Sequence, residues 1–124
     1  MKYFSLDKTE GVYFDMLSST AYMCGYSEEL MMTKVRFEKG NVVAPHHWHK
    51  HAQFTHIIKG SIQITDEFGN KGPVMHAGDT VYFAPNEKHS LAILEDDTWL
   101  YDVFNPGKVE LMEAHFDKVG IVKV

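Results

Sequence analysis

Hydrophobic and polar positions alternate along much of this chain. From Leu30 to Phe37 it reads Leu-Met-Met-Thr-Lys-Val-Arg-Phe, so Met31, Thr33, Val35 and Phe37 share one face while Lys34 and Arg36 share the other. A period of two predicts a strand with one side buried. Gln53 to Lys59 predicts another strand, Gly60 a tight turn, and Ser61-Ile62-Gln63-Ile64-Thr65 alternates cleanly as the expected hairpin partner. Asp66 to Gly72 is rich in turn residues, and Val74 to His76, Thr80 to Ala84, His89 to Leu94 and Thr98 to Phe104 predict further short strands. Turns are expected between them at Ala77-Gly78-Asp79, Pro85-Asn86 and Glu95-Asp96-Asp97. Before residue 28 the apolar pieces are short, Val12-Tyr13-Phe14 and Ala21-Tyr22-Met23, and predict short strands or arms. Only Val109 to Val119 carries a helical pattern. Many short strands without a repeat or a linker predict an all-β sandwich or barrel, one domain over residues 1–124.

Composition adds exclusions. With 124 residues, 44% hydrophobic and 23% charged, the chain can bury a core of its own. A formal net charge of −5 and the lack of any basic run argue against nucleic acid as a partner. Cys24 is the only cysteine, which excludes an intrachain disulfide and a cysteine-based zinc site. Neither an apolar leader nor a membrane-length run is visible, so no membrane association and a cytoplasmic location are expected.

The chemistry concentrates between Gly40 and Gly60, where His46, His47, His49 and His51 lie within six residues. Imidazole at this density points to a divalent metal. In an extended segment His47 and His49 leave one face and Trp48 the other, and Gln53 keeps the parity of the two histidines. His51 has that parity too and competes with Gln53 as an inward donor. His46 and His56 have the opposite parity, and His76 and His115 stand alone as ordinary polar positions. A second stretch, Trp99 to Phe104, holds an aspartate inside an apolar strand. Aspartate is depleted in strands, so Asp102 needs either a structural partner or a task. Leu100, Asp102 and Phe104 share a face; Trp99, Tyr101 and Val103 share the opposite one, whose apolar character calls for cover and suggests a homodimer.

Gly40, His47-x-His49, Gln53 and Gly60 resemble the first motif of the cupin family, and Gly78-Asp79, Pro85 and His89 its second. Gln53 stands where many members have glutamate, and Asn86 where a glycine is usual. The resemblance covers residues 40–89 and implies a single-domain cupin, a double-stranded β-helix or jelly-roll barrel, with a C-terminal extension at about 109–124. It also implies one divalent ion held by His47, His49, Gln53 and His89. Imidazole-rich sites accept Zn, Ni, Fe, Cu or Mn. Neutral ligands would leave the full charge on the ion, which makes it a strong Lewis acid.

A narrower likeness is to the pectin-degradation cupins that open 4,5-unsaturated uronate rings. It rests on Asp102-Val103-Phe104-Asn105-Pro106 with a basic residue at 108, on Tyr26 to Met32, on Phe37 to Gly40, and on the alternation of three histidines with Gln53. What it implies is an acid/base role for Asp102, a pocket-lining role for Phe104 and a carboxylate-binding role at Lys108. There lysine replaces the family's arginine and offers a point charge instead of a two-pronged fork. The expected activity is a metal-dependent isomerase or lyase acting on a small sugar acid. A cupin dioxygenase and a non-catalytic small-ligand binder are the alternatives.

Overall fold

Ten strands in two antiparallel sheets, with one short 3-10 helix at Met16–Ser18, make up the regular structure of residues 1–6 and 11–107, the part of the chain that the computed structural model describes. They are β1 (Val12–Phe14), β2 (Ser19–Tyr26), β3 (Met31–Phe37), β4 (Val42–Val43), β5 (Ala52–Lys59), β6 (Ser61–Asp66), β7 (Lys71–His76), β8 (Thr80–Phe83), β9 (His89–Ile93) and β10 (Thr98–Asn105). One sheet has the order β1-β2-β3-β10-β5-β8 and the other β4-β9-β6-β7. Matches to the cupin-like all-β expectation are close from β3 onward. The helical pattern at 109–119 lies outside the described residues, as does Lys108.

Alternation does what it predicts. In β3, Met31, Thr33 and Phe37 are buried, while Lys34 and Arg36 lie on the outer side over the Trp99 ring. The main core joins Phe37, Ile57 and Leu100 of the larger sheet to Ile62, Met75 and Ile93 of the smaller. Each such side chain removed from water contributes roughly 1.5–3 kcal/mol. A second cluster of Met23, Met31 and Phe104 lies toward the other end of the strands. Between the two runs a polar row, with Thr33 opposite Asp102, Asp102 opposite Thr55 and Thr55 opposite Val81 in adjacent strands. The candidate site is built on that interruption.

Two expectations are corrected. Ser61–Asp66 is not the hairpin partner of the preceding strand: β5 pairs with β10 and β8, whereas β6 pairs with β7 and β9. Ile57 and Ile62, both fully buried, explain why. Each strand has its own apolar face, and the two faces meet across the core instead of edge to edge. Gly60 makes the corner at φ +87°, and a side chain there would collide with the Thr98 backbone 2.9 Å away. Gly40 is needed for a similar reason, since a Cβ would lie 2.7 Å from the Glu95 carbonyl carbon. The N-terminal segment also forms more sheet than its short apolar pieces predict. Ser19–Tyr26 is a strand of 8 residues with an irregularity between Met23 and Gly25.

The outer face of β10 has cover from its own chain. Tyr22 stacks on Trp99 with centroids 6.2 Å apart, and Lys34 lies over both Trp99 and Tyr101 at 5.0 and 5.7 Å. Beyond them a row of Met32, Val103, Phe54 and Tyr82 runs across four strands, with Phe54 and Tyr82 about half exposed. Among the described residues no helix is long and apolar enough to cross a membrane.

Candidate functional site

The histidine segment is not one continuous strand. His47 forms an isolated bridge with His89, and the chain leaves β geometry before β5 begins at Ala52. The bridge has a consequence for the side chains. His47 and His89 exchange backbone hydrogen bonds of 2.9 and 3.1 Å, which sets their rings side by side with centroids 4.3 Å apart. Asn86 anchors the loop by donating its backbone N–H to the His49 carbonyl at 2.7 Å, and the His49 ring stands 6.2 Å from that of His89. Phe83 stacks flat on His89 at 3.9 Å and holds the ring's plane.

Each of these three imidazoles has its Nδ1 against a backbone carbonyl. His47 Nδ1 lies 3.1 Å from the Pro45 oxygen, His49 Nδ1 2.8 Å from that of His51, and His89 Nδ1 2.9 Å from that of Glu87. A carbonyl can only accept, so each Nδ1 carries a proton, and in a neutral ring the Nε2 lone pair is then the one offered to a cation. Burial, reinforced by the neighbouring His47 and His49, pushes the His89 pKa below its ordinary value, against the opposing pull of the Glu87 carbonyl. The His89 ring is therefore neutral at pH 7, the form in which imidazole can ligate a metal.

Gln53 enters from β5. Its nitrogen donates to Thr55 Oγ1 at 2.9 Å and to Asp102 Oδ1 at 3.0 Å, while the Thr55 hydroxyl donates to Asp102 Oδ1 at 2.6 Å. Its oxygen faces His49 Nε2 at 2.9 Å. The amide oxygen can only accept, so either a proton on Nε2 or a cation between the two atoms satisfies this contact. The donor set thus fits a divalent ion, with three imidazole nitrogens and one amide oxygen available. The His49 ring is turned onto Gln53, and no group of three His, Cys, Asp or Glu side chains among the described residues stands in ready coordinating geometry. Loading an ion would require that ring to adjust.

These side chains line a cavity of about 180 Å³ with an apolar floor that includes Phe37, Leu100 and Phe104. Asp102 is in its wall and Phe104, 4% exposed, lies edge-on to His49 at 6.1 Å. A larger cavity of about 710 Å³ opens between β7 and β8. It shares Ile64, Phe83 and His89 with the smaller one but reaches neither Asp102 nor Gln53, so the smaller cavity is the chemical one.

The sequence-predicted residues His47, His49, Gln53, His89, Asp102 and Phe104 are brought together here; Lys108 falls outside the described residues. Between the two competitors for the last donor position, Gln53 lines the cavity. His51 does not, and contributes its backbone carbonyl. His46 is exposed and turned to the Asp66 carbonyl at 2.8 Å, and His56 is exposed and bonded to Thr80 Oγ1. Thr55 is the residue of the candidate site that sequence reasoning missed. The available signal was weak: a threonine two positions from Gln53 on the same strand face.

Fold, paired motifs and donor set define a class. The chain belongs to the cupin family, whose cupin-domain model matches residues 33–111. It is similar to the pectin degradation protein KdgF of Dickeya dadantii (strain 3937), 32% identical over 87 residues that cover 70% of this chain and 77% of that protein. The structure of KdgF from Halomonas sp. shares the fold with a TM-score of 0.77 at 23% identity, covering 88% of this chain and 98% of that one. An oxalate decarboxylase of Bacillus subtilis with Mn(II) centres gives a TM-score of 0.68 at 27% identity, over 87% of this chain and 30% of that enzyme. This chain thus spans under a third of the decarboxylase.

Proposed function

We propose that this cupin is a metal-dependent enzyme that opens or isomerises the ring of a small sugar acid. The observation that carries the reading is Asp102, a carboxylate in the wall of a small cavity, hydrogen-bonded to Gln53, whose amide oxygen faces the His49 ring. His47, His49, Gln53 and His89 would hold the ion. When bound, a divalent ion supplies Lewis acidity toward a hydroxyl or carbonyl oxygen of the substrate. Asp102 takes the proton from the ring's hydroxyl as the ring C–O bond breaks and the carbonyl forms, and returns it to the departing ring oxygen or to the enol carbon. Thr55 and Gln53 hold Asp102 in place during that exchange. Phe37, Leu100 and Phe104 exclude water and fix the ring's plane. Lys108 supplies the positive charge for the substrate carboxylate.

A cavity of about 180 Å³ is below the usual ligand-site range of roughly 300–1,000 Å³, which favours a single small ring or a shorter acid over an oligosaccharide. Likeness to KdgF supports an unsaturated uronate as the first substrate to try. Metal-loaded protein mixed with 4,5-unsaturated galacturonate should speed loss of the ring form in a time course of proton NMR spectra; a rate equal to that in buffer contradicts the proposal. Likeness to a Mn(II) oxalate decarboxylase favours a second reading, decarboxylation of a small carboxylic acid at the same site, beside the dioxygenase alternative. Oxygen uptake and CO₂ release with such acids separate the two. We also propose a homodimer through the row of Met32, Val103, Phe54 and Tyr82, in which all but the half-buried Val103 are exposed.

A further inference from the structure

We infer that Asp102 and Thr55 are positioning residues for ion binding, because together they decide which end of the Gln53 carboxamide faces the imidazoles. The inference rests on the reading of Gln53 as a metal donor. A carboxamide has two ends of nearly the same size and opposite chemistry. The oxygen donates electrons to a cation; the nitrogen, its lone pair delocalised, does not. Nothing in the shape of glutamine selects between them.

The hydrogen bonds select. The Gln53 amide nitrogen is the donor to both Thr55 Oγ1 at 2.9 Å and Asp102 Oδ1 at 3.0 Å. Thr55 has a single hydroxyl proton, and it is given to Asp102 Oδ1 at 2.6 Å, so toward Gln53 the hydroxyl can only accept. Reversing the amide would set its oxygen against two acceptors at once. The backbone enforces the arrangement. Thr55 pairs directly with Asp102 across β5 and β10, and Gln53 lies two residues before Thr55 on the same face, opposite Phe104. The amide oxygen is left toward His49 Nε2, 2.9 Å away.

Two consequences follow from this one device. Asp102 is not a carboxylate that can be altered without touching the ion site, and substitution there should weaken metal binding as well as turnover. A glutamate at position 53 would bring a carboxylate oxygen against Asp102 Oδ1 in place of a donor, which gives a physical reason for an amide at this position.

Zinc affinity measured by competition calorimetry, with no substrate present, tests the inference. Removing a partner that orients a ligand costs about 10- to 100-fold in affinity. Thr55→Val should therefore bind Zn(II) about tenfold more weakly, Thr55→Ser should return to within about twofold of the parent, and Thr55→Val combined with Asp102→Asn should lose more than either alone. Gln53→Ala sets the scale of the full loss. If Gln53→Ala weakens zinc binding while the Thr55 and Asp102 variants do not, the orienting role is overturned and the ligand reading survives. If Gln53→Ala leaves affinity unchanged, both fall. A measurement on the unaltered protein needs no variant to fold. In metal-free protein the Gln53 side-chain amide should be protected from solvent exchange, and exchange as fast as in an exposed glutamine would overturn the inference.

Discussion

Two aspartates five residues apart, one just before β10 and one within it, show what the two faces of this sheet are for. Asp97 is held by cations. Arg36 Nε lies 2.7 Å from it, Lys59 Nζ 2.6 Å, and the Trp99 indole N–H donates at 2.9 Å. Those three donors, Lys59 first, hold its carboxyl well below the usual carboxylate range. The network ties β3 and β5 to the turn before β10 on the outer face, where solvent limits its strength. Asp102 faces inward and meets an amide and a hydroxyl from β5. An ion-paired carboxylate on the outer face serves the structure, whereas the one in the cavity wall is the one we propose to exchange a proton.

The contrast can be broken in order of expected effect. Replacing a candidate ligand should be most damaging to ion binding. His49→Ala should lower Zn(II) affinity by more than about a hundredfold in calorimetry, beyond the loss typical of an outer partner. Asp102→Asn should reduce turnover of the uronate about 10²- to 10⁴-fold, the usual contribution of a general acid or base, with the fold intact by circular dichroism. Asp97→Asn should leave turnover and zinc affinity within about twofold of the parent, since position 97 lies outside the cavity and surface ion pairs are weak. Equal losses at 97 and 102 would erase the distinction.

pH separates them again. The Asp97 carboxyl is lowered on folding, so its stabilising contribution is present above the unfolded carboxylate value of about 4 and disappears as pH falls through the folded value. His89 is also lowered, with the opposite chemistry. The unfolded chain takes up a proton near pH 6.5 that the folded ring resists, so stability declines as pH falls below about 6.5. Thermal melts of metal-free protein should show a loss between about pH 6.5 and 5 that His89→Gln removes, and a further acid loss that Asp97→Asn removes. No change in the upper step with His89→Gln would refute its assignment.

Much of this was legible in the sequence because burial acts with a period of two along a strand. Met31, Thr33 and Phe37 could be placed inward, as could Leu100, Asp102 and Phe104, since one buried face leaves a strand no other register. His47 and His49 stood out by their spacing, while Gln53 and His89 were implied as their companions by the resemblance to the two cupin motifs. The reason given for the spacing was wrong in detail: the histidines are set by a bridge to His89 and by carbonyls of Pro45, His51 and Glu87, not by one strand. Backbone carbonyls carry no side-chain signature, so such partners are invisible in sequence. The crossing at Gly60 was illegible for a related reason. Alternation reports that Ile57 and Ile62 are buried, and says nothing of whether their strands meet edge to edge or face to face. Thr55 escaped because its role depends on a pairing with a residue 47 positions away.

Anomalous X-ray diffraction from crystals grown with zinc bears most directly on the central claim that these four side chains converge on a single ion beside Asp102. One peak is expected, bounded by Nε2 of His47, His49 and His89 and by Oε1 of Gln53, with Asp102 in the same cavity wall. A peak lying instead on His46, His56 or His76, with none at the cavity, would contradict it.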